Sequence, residues 1–289
     1  MLAALGAFSV WGLAPIYFKL LGHVSATEII AHRVVWAIAV LLLVLAIRHR
    51  GQFRSQLAVG WGTLGALLVS GLLIVINWLI FVYAVNTDRV LSTSLGYFIN
   101  PLVSVLLGLV LFKERLAVLQ YVAVAIAAGG TIYMAIGVGE FPWIALSLAV
   151  SFAFYAVVRK KLDVGPMVGL FWETVLMAPL AIAWLIALNA AGSLTFATGT
   201  MLDRWTLIGT GLVTVVPLLL FAAGVRRLPL STIGLMQYLA PTVTFLLAIF
   251  VFAEPFTVDH LVTFACIWIA LFLFTWSGWH YRRRTGLPL

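Results

Sequence analysis

The chain has 289 residues, of which 64% are hydrophobic and only 9% charged, and its mean hydropathy is +1.16. Soluble domains carry roughly 25% charged residues, so a wetted globular protein is excluded and an all-α membrane protein, solvated by the lipid bilayer, is expected. The net charge of +8 does not argue for a nucleic-acid partner, because membrane proteins collect Lys and Arg at cytoplasmic helix ends.

Crossing a hydrocarbon core of about 30 Å takes about 20 mostly apolar residues. That length predicts ten spans: 2–21, 27–47, 58–83, 90–112, 116–136, 141–158, 167–188, 205–224, 230–252 and 258–279. The first has no Lys or Arg before Lys19; without a basic leader it is expected to be kept as a span rather than cleaved. Cys266, the single cysteine, excludes an intrachain disulfide and a multi-cysteine metal site. Orientation follows the distribution of Lys and Arg. With the N-terminus inside, thirteen of the 17 fall on the inner side, against Lys19, Arg89 and Arg204 outside and Arg33 within a span. Both termini are therefore expected in the cytoplasm.

Shifting the sequence by 140 residues places Lys19 on Arg159, Arg33 on Glu173, Asn77 on Pro217, Pro101 on Pro241 and Glu114 on Glu254. The triplet Leu-Ser-Thr at 91–93 returns at 230–232, one residue out of phase. The halves are 1–138 and 139–289, each with five predicted spans. An odd number sends the second half into the membrane from the opposite side, so the pattern predicts ten transmembrane helices as two inverted five-helix repeats, a build common among secondary transporters.

At this point a family resemblance is visible. The stretches WGLAPIYFK (11–19), EIIAHRVVWA (28–37), LSTSLGYFINPLVSVLLG (91–108) with FKERL (112–116), and QYLAPTVTFLLAIFVFAE (237–254) resemble the EamA family of the drug/metabolite transporter superfamily, in its RarD-like branch, and the resemblance covers the whole chain. It implies a ten-helix transporter in a bacterial inner membrane, exporting small metabolites. Amino acids, large neutral and aromatic ones first, are the expected small-molecule substrate, moved by alternating access. A drug or other metabolite exporter is the alternative, and an intramembrane enzyme a remote one. No cofactor, metal or partner protein is required. A monomer suffices, although the oligomeric state is open.

The prolines and the polar residues beside them are the candidate site. Proline lacks the backbone N–H that would serve the carbonyl four residues earlier. Pro15 thus frees Trp11, Pro101 frees Tyr97 and Pro241 frees Gln237, while Pro217 sits in the eighth span. In lipid an unserved carbonyl costs several kcal/mol unless protein, water or ligand reaches it. Either these carbonyls face a substrate cavity or they mark kinks served by a neighbouring hydroxyl. On helical spacing Tyr97, Asn100 and Pro101 share one face, and Gln237, Tyr238 and Pro241 another. Trp11, Tyr17, Asn77, Trp78 and Tyr155 are the remaining aromatic and amide candidates, with plain packing as the other explanation.

Arg33 is the most costly residue, since an intramembrane arginine costs at least ~2.5–3.5 kcal/mol. It captures a substrate carboxylate or is held structurally. Its mirror position, Glu173, is expected roughly 10 Å away along the membrane normal at 1.5 Å per residue, which argues against a salt bridge. Glu28 and His32, four apart, form either a proton relay or a structural pair. Gly60, Gly62 and Gly65 match a dinucleotide fingerprint, but no strand precedes them; small residues there are expected to let helices approach closely. No Walker loop, HExxH or catalytic cluster is present.

Overall fold

The computed structural model describes residues 2–48, 57–112, 118–137, 141–225 and 238–285. Among these residues the secondary structure is helical throughout: α1 (Leu2–Lys19), α2 (Ala26–Arg48), α3 (Trp61–Asn86), α4 (Val90–Phe112), α5 (Val118–Gly137), α6 (Trp143–Lys161), α7 (Pro166–Ala190), the single turn α8 (Thr195–Thr198), α9 (Met201–Val225), α10 (Leu239–Phe250) and α11 (Val258–Thr285). Six of these, α2, α3, α6, α7, α9 and α11, contain segments long and apolar enough to cross a membrane, and α5 and α10 hold shorter apolar segments. The protein is a multi-pass membrane protein. One feature departs from the predicted spans: the turn α8 was not foreseen. The start of the span predicted at 230–252 lies outside the described residues, of which α10 covers Leu239–Phe250.

The most extensive helix contacts join the first five helices to the later ones. α1 packs on α9 and α10, and α6 packs on α3 and α4. α2 lies on α9 and α7 lies on α3, while α2 meets α7, α4 meets α10 and α5 meets α11. Packing within the first half, of α1, α2 and α4 on α3, is less extensive. The fully buried Phe18, Leu95, Leu148 and Phe264 belong to one cluster drawn from both halves.

Lipid offers no hydrophobic drive for helix pairing, so close backbone approach and polar bonds carry it. Gly71 of α3 faces the backbone of α7: a Cβ there would stand 3.1 Å from the carbonyl oxygen of Glu173. Gly211 of α9 faces α2, and a Cβ would come within 2.6 Å of the Trp36 backbone. The two glycines are 140 residues apart, the same shift that aligns Arg33 with Glu173 in the sequence. Gly60, Gly62 and Gly65 do not have the packing role expected of them, since a Cβ on any of the three would meet nothing within 4 Å.

Helix ends are closed by backbone and carboxylate groups. α7 ends in a Schellman turn, with Gly192 at φ 68° and Ser193 N–H donating to Leu188 C=O at 3.0 Å. α3 ends likewise, with Asp88 at φ 56° and Arg89 N–H donating to Ala84 C=O at 2.8 Å. At the start of α4, the Leu-Ser-Thr triplet lies under Glu254, whose carboxylate accepts the N–H groups of Val90 and Leu91 at 2.6 and 2.7 Å. A carboxylate at a helix N-terminus satisfies orphan donors and complements the dipole. Its neighbour Ala253 is forced to φ 50°, a left-handed conformation that costs an L-residue roughly 1–2 kcal/mol. Glu254→Gln is expected to lower stability by about 1–3 kcal/mol, whereas Ala253→Gly should raise the melting temperature in detergent.

Candidate functional site

The candidate site is built where α2, α3, α4, α6 and α9 converge. Arg33 of α2 is buried at 7% exposure. Its guanidinium carbon lies 4.0 Å from the centroid of the Trp78 ring and 5.5 Å from that of Phe18. Its Nε donates to Thr214 Oγ1 at 2.6 Å, and Thr214 in turn donates to Thr210 C=O at 2.8 Å. Among the described residues no carboxylate lies within 4.0 Å of Arg33. A desolvated cation–π contact supplies about 2 kcal/mol, which offsets part of the insertion cost and leaves the positive charge unneutralised.

Next to Trp78 on α3, Asn77 is buried at 1% exposure. Its Nδ2 donates to Leu148 C=O at 2.9 Å and Ser151 Oγ at 3.0 Å, both on α6. Its Oδ1 accepts the Tyr97 hydroxyl at 3.4 Å. From Phe18 the rings run on through Phe81 (6.0 Å), Tyr97 (6.0 Å), Phe152 (6.5 Å) and Tyr155 (5.8 Å). These centroid separations lie within the range of favourable aromatic pairs.

The chain of rings ends at Glu173 of α7, buried at 1%. Ser70 Oγ donates to its Oε1 at 2.6 Å and the Tyr155 hydroxyl to its Oε2 at 3.4 Å. Arg159 Nε stands 3.6 Å from Oε1. Arg33 and Glu173 thus occupy opposite ends of one aromatic path. Each is tied to the other half by a hydroxyl on the equivalent helix, Thr214 on α9 or Ser70 on α3.

A family comparison bears on what this arrangement serves. The EamA-like transporter family matches the chain twice, over residues 1–136 and 142–276. The chain belongs to the EamA-like transporter family. An uncharacterized transporter of Vibrio cholerae is 44% identical over 278 residues, covering 96% of this chain and 92% of that protein. The uncharacterized transporter YojE of Bacillus subtilis is 42% identical, covering 96% and 93%. Protein RarD of Escherichia coli is 41% identical, covering 99% and 97%. A solved crystal structure shares the fold at a TM-score of 0.62 and 17% identity, over 95% of this chain and 96% of that one. Membership of a transporter family separates the protein from the intramembrane-enzyme class.

Within this EamA protein, the residues picked from sequence divide. Arg33, Asn77, Trp78, Tyr97 and Tyr155 join in one connected group. Tyr17 lies beside it, with its hydroxyl donating to Thr206 C=O and its ring 5.6 Å from Phe18. Trp11 packs instead with Phe8 and Phe221 in a separate small cluster. Asn100 accepts a 3.5 Å contact from Ser104 on its own helix. Tyr238 stacks on Phe98 at 6.4 Å. Gln237 lies outside the described residues. Pro15, Pro101 and Pro217 sit inside α1, α4 and α9. Pro241 does not interrupt a described helix. It occupies the first turn of α10, after the N-cap Tyr238, where an absent N–H costs no helix bond.

Glu28 does not stand free beside His32. Its carboxylate accepts Thr195 Oγ1–H at 3.0 Å and Phe196 N–H at 3.1 Å, fastening α8, while His32 Nε2 is 3.9 Å away. Sequence reasoning passed over Phe18, Phe81, Ser70 and Thr214, whose partners lie on distant helices. Pro179, inside α7, was also missed. Asn77→Leu is expected to lower stability by about 1–3 kcal/mol, because it strands the Tyr97 hydroxyl and breaks two bonds to α6; thermal unfolding in detergent measures this.

Proposed function

We propose that the protein is a secondary transporter exporting large neutral and aromatic amino acids by alternating access, in a bacterial inner membrane with both termini cytoplasmic. The observation carrying the substrate reading is Arg33: a buried cation on the face of Trp78, without a carboxylate within 4.0 Å among the described residues. A substrate carboxylate supplies the missing charge through the donor geometry to which Arg is suited. The rings of Phe18, Trp78, Phe81 and Tyr97 offer faces and edges to an aromatic side chain, at about 0.5–1.5 kcal/mol per pair beyond burial.

Two inverted repeats, 1–138 and 139–289, and ten spans belong to the same proposal. The twofold family match supports the division. So does the exchange pattern of packing, in which α1 on α9 and α10 answers α6 on α3 and α4. Two halves of this kind rock about a midplane site in secondary transporters.

Vesicles containing the purified protein should exchange labelled phenylalanine or tryptophan above empty vesicles. Arg33→Gln should cut that exchange by about tenfold or more while uncharged solutes still move. If all solutes are lost equally and the melting temperature falls, Arg33 is structural; if a different solute moves and amino acids do not, the substrate is wrong. Orientation has its own check. In a Cys266→Ala background, Lys161→Cys should react only with reagent admitted to the cytoplasm, and Ser193→Cys from outside. Labelling of both from one side rules out the inverted arrangement.

A further inference from the structure

We propose that Glu173 is a binding site for the cationic group of the substrate, a primary ammonium, and that Arg159 occupies this position in the present structure as a tethered competitor. The proposal rests on and extends the amino-acid reading, which places the carboxylate at Arg33 and the side chain on the rings but assigns no partner to the ammonium.

The carboxylate is almost wholly withdrawn from solvent, at 1% exposure. An ionised carboxylate offers about four acceptor positions. Among the described residues Glu173 receives one short hydroxyl bond, from Ser70 at 2.6 Å, and one long one, from Tyr155 at 3.4 Å. Arg159 compensates the charge incompletely. Its Nε is 3.6 Å from Oε1, close enough to count as an ion pair but beyond hydrogen-bonding length. Among the described residues its Nη1 is buried without a hydrogen-bond partner, and its Nη2 reaches only the carbonyls of Val164 and Gly165 at 3.5 Å.

A buried ion pair offsets its desolvation cost only when the geometry is good and the remaining donors are served. This one meets neither condition. Arginine normally grips a carboxylate with both arms of its fork, and here the fork is turned away, over Gly169, where any Cβ would overlap the guanidinium. The pair is therefore easily exchanged. An ammonium is compact and carries three rotatable donors. It could take the acceptor positions left open on Glu173 while the Arg159 head swings toward the 162–165 turn. Tyr155 lies alongside and leads through Phe152 to Tyr97, so an amine with an aromatic ring finds aromatic surface on the inward side of its head group. Because the two charged groups of an α-amino acid share one carbon, Arg33 and Glu173 then recognise them in turn, the carboxylate at one end of the path and the ammonium at the other.

Binding to detergent-solubilised protein tests this without transport. Phenethylamine carries the ring and ammonium alone, and phenylpropionate the ring and carboxylate alone. The parent should bind both, along with phenylalanine. Glu173→Gln should weaken phenethylamine by about tenfold or more, the scale of a lost charge-assisted bond, and leave phenylpropionate unchanged. Arg159→Met should strengthen phenethylamine severalfold by removing the competitor, a gain that a structural role does not produce. Failure of the parent to bind phenethylamine, or equal binding by parent and Glu173→Gln, overturns the proposal. So does an Arg159→Met protein that still binds phenylpropionate but gains nothing for the amine. If phenethylamine binds through Glu173 while phenylalanine and phenylpropionate do not bind at all, the cation site stands and the amino-acid reading falls.

Discussion

Helices in lipid gain nothing by hiding apolar faces from one another, because the lipid is as apolar as they are. The bundle therefore depends on points where two backbones come close enough for dispersion and polar bonding to act. Gly71 against Glu173 and Gly211 against Trp36 are two such points. They are equivalent under the 140-residue shift, and each joins one half to the other. Because these crossings hold the halves together, the principal packing runs between halves rather than within them.

The same crossings decide where charge can be tolerated. Glu173 lies on the stretch of α7 that Gly71 touches, and its carboxylate meets Ser70 next to that glycine. Arg33 lies one turn from Trp36, whose backbone Gly211 touches, and its Nε meets Thr214 on the same helix as that glycine. Close approach brings a hydroxyl within reach of a buried ion that is otherwise too costly to insert. The packing and the candidate chemistry therefore cannot be varied independently. A larger residue at Gly71 would move Ser70 away from the carboxylate it serves.

The fold was readable to the extent that length, apolarity and the repeat report it. Apolar runs marked the helices, and Arg33 and Glu173 emerged from the shift as equivalents that do not pair. The rings between them were readable only in part. Tyr97 and Tyr155 stood out, but Phe18 and Phe81 look like any core or lipid-facing aromatic until their partners on other helices are known. Proline was an ambiguous sign for a physical reason: the missing N–H matters inside a helix, as at Pro15 and Pro217, but not in a first turn, as at Pro241. The glycines at 60, 62 and 65 misled for a similar reason, since a small residue permits close approach without requiring it. Leu-Ser-Thr at 91–93 had a readable recurrence but no readable role until Glu254, 163 residues beyond Leu91, was found accepting the Leu91 N–H.

What the two halves share and where they differ bears on the kind of solute the path suits. Architecture is kept: the glycine crossings match, and a hydroxyl from the opposite half meets the charged residue in each. Chemistry is inverted, with Arg33 in one half and Glu173 in the other. An anion moving along such a path would be favoured at Arg33 and repelled at Glu173, and a cation would meet the reverse. Either would be held at one end and resisted at the other, which is a poor design for passage. A zwitterion has a favourable partner at both ends without a net charge to trap it at either. On the proposed reading, the inversion of sign between repeats is thus the feature that makes an amino acid a suitable cargo, and the aromatic rings between the two charges select among its side chains.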